Sequence, residues 1–366
     1  METREVVITS CCRTPSGRFL GGLSALTPQE LGGVVIREAV KRSKVDPEDV
    51  DEVIMGNVVQ AGLGQSPGRQ AAIKAGIPPQ VPAFTVNKVC GSGLKAIQLA
   101  AQAIKLEEAD IVVAGGMESM SWCPYLLGKI RAGVKFGDQK LVDSLIHDGL
   151  WCAFEDVHMG NLAELVAEEK GITREEMDRY AYYSHMKAAA AMNEGKFTAE
   201  IAPVELLQPR AEPIVVEKDE APRPDTTLEK LAKLPPAFKK EGKITAGNAP
   251  GLNDGASAVV VMAREKALEL GIAPMARITG YATGFLEPKW VFLAPVVAVR
   301  NLTDKLEVAL DHFDLIEANE AFAAQCLADG KELGWDWDRV NVHGGAIALG
   351  HPIGASGARV VTTLLH

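Results

Sequence analysis

A chain that repeats itself has a narrow choice of folds, and this one carries an internal echo. When residue 354 is laid over residue 90, "CGSGLKAIQLAAQ" (90–102) falls on "GASGARVVTTLLH" (354–366), with Ser-Gly at equal places followed by apolar positions. Upstream, "DEVIMGNVVQAG" (51–62) is matched in style by "FDLIEANEAFAAQ" (313–325). Two such pairs in the same order imply two similar halves with the middle section inserted between them. Short β-branched runs alternate with longer amphipathic ones, the pattern of an α/β protein. Strands are expected at "EVVITSC", "EVIMGNVV", "FTVNKV", "DIVVAGG", "ASAVVVMA", "ARITGYA", "LIEANEA" and "RVNVHG". Helices are expected at 28–43, 68–75, 92–106, 160–170, 174–194, 264–270, 294–310, 320–333 and 355–365. The stretch 195–238, rich in Pro, Lys and Glu, reads as a loop-rich excursion over the surface.

Composition narrows the function. With 366 residues, 47% of them hydrophobic, the chain has material for two or three packed units. A net charge of −10 argues against general nucleic-acid binding, though not against a small anionic ligand met by local basic groups. No apolar run approaches the roughly 18 residues of a membrane span. The start, "METREVVITSCCRTP", lacks the layout of a signal peptide, so the cytoplasm is the expected compartment. The six cysteines show no CxxC and no metal-like spacing, which indicates neither a zinc site nor a disulfide framework.

Three residues carry candidate chemistry, each with a plainer alternative. Cys90 lies between a strand candidate and a helix start softened by Gly91, Ser92 and Gly93. It is either a buried small hydrophobe or a nucleophile whose thiolate the helix N-terminus favours. His351 sits in a turn before a proline and among glycines; it is either structural or, through the echo, brought near Cys90 as a proton acceptor and hydrogen-bond donor. Asn319, in "EANEAFA" where a strand hands over to a helix, either caps that helix or orients a water beside a reacting carbonyl.

Together "NKVCGSGLKA", "GGMESMS" (115–121), "TAGNAPGLNDGASA" (245–258), "NEAFA" and "GGAIALGHPIGASGAR" (344–359) resemble the thiolases, in family order from Val6 onward. "DGLWCAFEDVHMG" (148–160) is similar to the loop of the short-chain biosynthetic type. The resemblance implies two α/β halves stacked as αβαβα, each with a five-stranded sheet, and an inserted loop domain. The first half is expected at 1–118 plus 251–271, the loop domain at 119–250 and the second half at 272–366. The implied reaction is the Claisen condensation of two acetyl-CoA to acetoacetyl-CoA, or the reverse thiolysis, through acetyl-Cys90. His351 and a water on Asn319 would serve the enolate, and the Cys90 amide would serve a separate oxyanion hole. By the same resemblance coenzyme A meets Leu150, His158, Met159 and Arg223. Phe238, Ala246, Ala249 and Leu252 would line the pantetheine tunnel, and Ala321 and Phe322 its inner end. The thioester is a substrate; no permanently bound cofactor and no metal are implied, and the expected partner is a second copy, in a dimer or tetramer.

The sequence departs from that family at three places. The family's second cysteine, in a Cys-x-Gly stretch, would follow His366, so the last strands of the second half are expected to be missing and activity reduced. Pro250 stands where a serine usually bonds the pantetheine, for an expected loss of about 1 kcal/mol in binding. "WVFLAP" (290–295) replaces a Met-Gly-x-Gly-Pro pattern near the acyl pocket, adding Phe292 and Ala294 in place of glycines. These departures keep two rivals in view: a non-catalytic acyl-CoA-binding or scaffold subunit, and a ketoacyl synthase-type condensing enzyme, which pairs its cysteine with two histidines.

Overall fold

The computed structural model describes residues 4–208 and 211–366. Its centre is one mixed sheet. Strands β1 (Val6–Arg13), β2 (Glu52–Gly56), β3 (Ala83–Val86), β4 (Ile111–Ser119), β5 (Asn253–Ala263) and β6 (Ala276–Arg277) lie in the order β6-β1-β5-β4-β2-β3. The β4-β2-β3 part is parallel, and β5 runs antiparallel to both β1 and β4. Every residue of β1, β4 and β5 is buried, so these strands read as continuous apolar runs rather than alternating ones.

Alternation survives in which neighbour each side chain meets. Ala258, Val260 and Met262 of β5 face α1 (Pro28–Ser43) and α2 (Pro67–Ala75), with Leu31, Val35 and Ile36 filling that layer. Val259 and Val261 face the opposite layer, with Ala96, Ile97, Ala100 and Ile104 of α3 (Ser92–Lys105). The inserted section contributes α4 (Met159–Glu169) and α5 (Arg174–Asn193). The second half contributes α6 (Ala294–Leu306), α7 (Ala323–Leu333), the single turn α8 (Ala346–Leu349) and α9 (Ser356–Leu365). Ala358 and Val361 of α9 join the α3 layer, so this layer is shared between the halves.

The echo is physical. A Cβ on Gly93 would lie 2.7 Å from the amide nitrogen of Ala358, and a Cβ on Gly357 would lie 2.4 Å from that of Leu94. The two helix starts therefore touch reciprocally, each through the glycine of its Ser-Gly pair, as two-fold related elements must.

Three strand expectations fail. Of "ARITGYA" only Ala276–Arg277 pairs, and it joins the first sheet through β1. "LIEANEA" and "RVNVHG" meet in a single parallel bridge, Ile316 to Val340. In the first half the β2–β3 pair is anchored by β4 and β5, whereas among the described residues nothing plays that part in the second. An extended segment without a ladder partner does not propagate as a strand. The second half, whose last strands are expected to be missing, forms only the Ile316–Val340 bridge of its own among the described residues. The helix expected over 294–310 ends at Leu306, where Glu307 turns left-handed with φ +55°. The loop-rich 195–238 stretch holds a hairpin, Val204–Gln208 with Ala211–Val216, and the short helix Leu228–Ala232.

Candidate active site

Cys90 closes a turn that the local sequence forces tight. Val89 sits at φ +48°, a conformation a β-branched residue rarely adopts, and it is held there from both sides. Its N–H donates to Asn87 Oδ1 at 3.0 Å, and its carbonyl accepts from the Ser92 hydroxyl at 2.6 Å. The Lys88 N–H donates to the same hydroxyl at 2.8 Å. Cys90 is half-buried and packs with Leu150, Leu252 and Cys123 against Val58, Val59, Met120, Leu145 and Ile353.

Here the electrostatic expectation is overturned. The helix start was expected to favour a thiolate, yet burial pushes the Cys90 thiol up to about 12, and the Glu118 charge adds to the rise. The backbone amide pulls the other way and does not win. Cys90 is a thiol at neutral pH.

His351 is fixed by two contacts and by the glycine before it. Its N–H donates to Asn253 Oδ1 at 2.9 Å, its Nδ1 lies 2.6 Å from Ser356 Oγ, and Gly350 before it sits at φ +103°. A Cβ on Gly350 would fall 2.5 Å from Asn253 Cγ, so only glycine fits. Burial, then the Arg359 charge, lowers the imidazole to about 4, so the ring is neutral and free to take a proton. Its Nε2 makes no hydrogen bond to a described residue.

Asn319 does not cap a helix, which settles one of its two alternatives. The following helix, α7, begins at Ala323 after an extended Phe322 that makes no side-chain cap. The Asn319 Oδ1 is buried without a partner, a polar atom still able to hold a water.

Two buried carboxylates hold these loops, and reading the sequence assigned neither a role. Glu118 accepts from Asn57 Nδ2 (2.8 Å) and the amides of Val58 (2.9 Å), Val59 (3.3 Å) and Gly354 (3.0 Å). It thereby ties the loop after β2 to the His351 turn. Burial pushes its carboxyl up to about 8 against the pull of those amides. Glu320 accepts from Tyr180 Oη (2.9 Å), Ser184 Oγ (2.8 Å), Asn341 Nδ2 (3.0 Å) and the Ile347 amide (2.9 Å). This ties the Asn319 loop to α5 and α8. The signal for both was available only as acidic residues inside Gly- and Ala-rich stretches.

The remaining site residues fall into two groups and two outliers. Leu150 and Leu252 lie with Cys90. Met159, Phe238, Ala249, Ala321 and Phe322 share a second cluster with Phe292 and Trp290. In it His158 stacks on Phe238 at 4.7 Å, and Phe322 meets Phe292 edge-on at 5.2 Å. Arg223 and Ala246 are exposed, and the Arg223 N–H donates to His185 Nδ1 at 3.2 Å. Among the described residues no helix is long and apolar enough to cross a membrane.

A left-handed elbow carrying a cysteine, interlocked with a glycine-rich histidine turn across an internal two-fold, meets its match among known proteins. The family profile described as "Thiolase, N-terminal domain" matches residues 6–265, and "Thiolase, C-terminal domain" matches residues 272–366. The chain belongs to the thiolase family. It is 55% identical to a Pseudomonas aeruginosa protein named acetyl-CoA acetyltransferase, over 99% of this chain and 92% of that one. An Escherichia coli protein of the same name is 53% identical over the same shares. The crystal structure of the Bacillus anthracis acetyl-CoA acetyltransferase superposes with a TM-score of 0.97 at 44% identity, covering 100% of this chain and 92% of that one.

Proposed function

We propose that this chain is an acetyl-CoA C-acetyltransferase, joining two acetyl-CoA into acetoacetyl-CoA and catalysing the reverse thiolysis. The observation that carries the reading is the pairing of Cys90, on a strained strand-to-helix turn, with a neutral His351 turn that interlocks with the same helix start. The Cys90 proton passes to His351 Nε2 as the sulfur adds to the thioester carbonyl. The bond from the acyl carbon to the coenzyme A sulfur then breaks, the departing sulfur takes the proton from His351, and acetyl-Cys90 remains.

Both groups are uncharged at rest, since burial moves their pKa values apart to about 12 and about 4. Charge therefore develops only when a thioester occupies the site and backbone donors such as the Cys90 amide meet the oxyanion. In the second half-reaction a water held on Asn319 Oδ1, beside the now neutral His351, donates to the enolate oxygen of the incoming acetyl-CoA and stabilises it. The base that takes its proton is, by family resemblance, a cysteine in a Cys-x-Gly stretch, which these 366 residues do not contain.

Coenzyme A is a substrate here rather than a resident group. Its pantetheine arm runs past Leu150, His158, Met159, Phe238, Ala249 and Leu252, with Ala321 and Phe322 at the inner end. Exposed Arg223 and Ala246 flank the nucleotide and the tunnel mouth. The protein works in the cytoplasm as a homo-oligomer. Support for the oligomer comes from exposed Phe84, Val89 and Leu94 beside the open β3 edge, and from the 125–143 hairpin, where Phe136 is 98% exposed.

The test is an intact-mass and peptide-map measurement after brief exposure to acetoacetyl-CoA. One acetyl group on Cys90, lost in Cys90→Ala, is expected. A folded wild-type protein whose Cys90 stays unmodified overturns the reading.

A further inference from the structure

We propose that Ser356 is a positioning residue that sets the tautomer of His351: its hydroxyl accepts the Nδ1–H and leaves the lone pair on Nε2. The inference rests on the reading of His351 as the proton acceptor for Cys90, and it names the group that makes Nε2 that acceptor.

The chain supplies its own comparison. Under the internal two-fold Ser356 corresponds to Ser92, and Pro352 to Lys88. The Ser92 hydroxyl donates to the Val89 carbonyl at 2.6 Å and accepts from the Lys88 N–H at 2.8 Å. Both its roles are filled by backbone. The Ser356 hydroxyl likewise donates to a backbone carbonyl, that of Pro352, at 2.9 Å. Its accepting side cannot be filled in the same way, because proline has no N–H. The Pro352 substitution frees that lone pair, and His351 Nδ1 takes it at 2.6 Å.

With its single proton committed to the Pro352 carbonyl, the serine can only accept from the ring. The neutral ring then carries its proton on Nδ1, the nitrogen turned into the protein. Nε2 is left as the acceptor, and it makes no hydrogen bond to a described residue. When Nε2 takes the Cys90 proton, the cation keeps the same Nδ1–H to Ser356 contact. The ring need not turn between its two charge states. Asn253 keeps it from sliding as well, its Oδ1 accepting from the His351 N–H at 2.9 Å and its Nδ2 donating to the Gly17 carbonyl at 2.9 Å.

The first measurement is on the wild-type protein: ring-nitrogen NMR with 15N-histidine at neutral pH, His351 being identified by its absence in His351→Asn. Protonated Nδ1 and unprotonated Nε2 are expected, and the opposite tautomer overturns the proposal. Pro352→Ala restores the competing N–H, and it is expected to raise the Nε2–H population. Ser356→Ala is expected to slow acetylation of Cys90 about 10–100-fold, the range for losing a hydrogen bond to a charged group, with little change in KM. Ser356→Thr, which keeps the hydroxyl, is expected to recover most of the rate. A folded Ser356→Ala protein with unchanged tautomer and rate overturns the proposal; if that variant does not fold, the wild-type spectrum decides. A wild-type protein with the expected tautomer but no acetyl-Cys90 removes the proposed function and leaves the Ser356 assignment standing.

Discussion

Replacing Glu118 tests whether a buried carboxylate fixes the geometry of the histidine turn. All four of its partners are donors, two on each oxygen: Asn57 Nδ2 and the Val59 amide on Oε1, the Val58 and Gly354 amides on Oε2. At a pH above about 8, where the carboxyl is ionised, Glu118→Gln turns one oxygen into a donor and strands whatever faces it. The arrangement of least cost puts the new NH2 on the Oε1 side. There the Asn57 amide can flip to accept from it, because Asn57 Oδ1 has no partner of its own. The Val59 amide then loses its acceptor, at about 1–3 kcal/mol, and the flipped Asn57 gives up its 3.3 Å bond to the Met117 carbonyl. Glu118→Ala strands all the donors, including the Gly354 amide in the His351 turn, and leaves a cavity, for roughly 3–5 kcal/mol. Urea unfolding followed by fluorescence gives the stabilities, and the rate of Cys90 acetylation gives the geometry. The alanine variant is expected to lose both, and the glutamine variant to lose stability while retaining most of its rate. Equal stability losses for the two variants, or full acetylation in a folded Glu118→Ala protein, would refute the reasoning.

Two further perturbations follow from buried groups. Burial raises Asp329 to about 8 from an ordinary value near 3.8, its Oδ2 bonded to Gln325 and its Oδ1 unpartnered. The folded state therefore holds this proton when the unfolded chain has released it, so the group's stabilising contribution is full below about 3.8 and is lost as pH rises through about 8. Asp329→Asn, neutral throughout, should flatten the fall in melting temperature between pH 6 and pH 9, and an unchanged slope would count against it. Phe292, 9% exposed and edge-on to Phe322, fills space beside the proposed acyl end, so Phe292→Ala should cost about 3–5 kcal/mol of stability. It should also raise thiolysis of a 3-ketoacyl-CoA two carbons longer by roughly tenfold relative to acetoacetyl-CoA; an unchanged ratio would place Phe292 away from the acyl group.

What could be read from the sequence was local pattern. Apolar spacing located α1 at 28–43 to the residue and α3 to within one residue, because each helix has one face on the sheet and clear end signals. Thr27 and Glu30 form a reciprocal cap at the start of α1, and Lys44 turns left-handed at its end. The internal echo implied two similar halves, and the α3 and α9 starts that carry it touch through Gly93 and Gly357. The pattern failed where a segment's state depends on a distant partner: "LIEANEA" and "RVNVHG" have strand composition but only the Ile316–Val340 bridge. At the site, Cys90 and His351 stood out because glycines surround them. Glu118, Asn253 and Ser356 did not, since a residue that acts by holding another leaves no local periodicity. The thiol's protonation is not legible in sequence for a related reason. A helix start is visible in sequence, whereas the burial that outweighs it is set by Leu150, Leu252 and Ile353 from elsewhere in the chain.

The two halves supply unequal parts to the site although they share a plan. At the first helix start the serine is saturated by backbone, and the strained residue before the cysteine presents a sulfur. At the second, a proline withholds one backbone donor, and the serine turns to a side chain instead. Asn87 occupies the place in the first half that His351 occupies in the second, and its amide is spent on backbone, accepting from the Val89 N–H and donating to the Val58 carbonyl. One copy of the motif thus holds a nucleophile and the other holds a base, with the reciprocal Gly93 and Gly357 contacts fixing the two helix starts against each other. Because each glycine there approaches backbone rather than a movable side chain, a methyl at either position has to displace a helix start. The site's geometry therefore depends on the symmetry of the fold, and its chemistry depends on the few positions where that symmetry is broken.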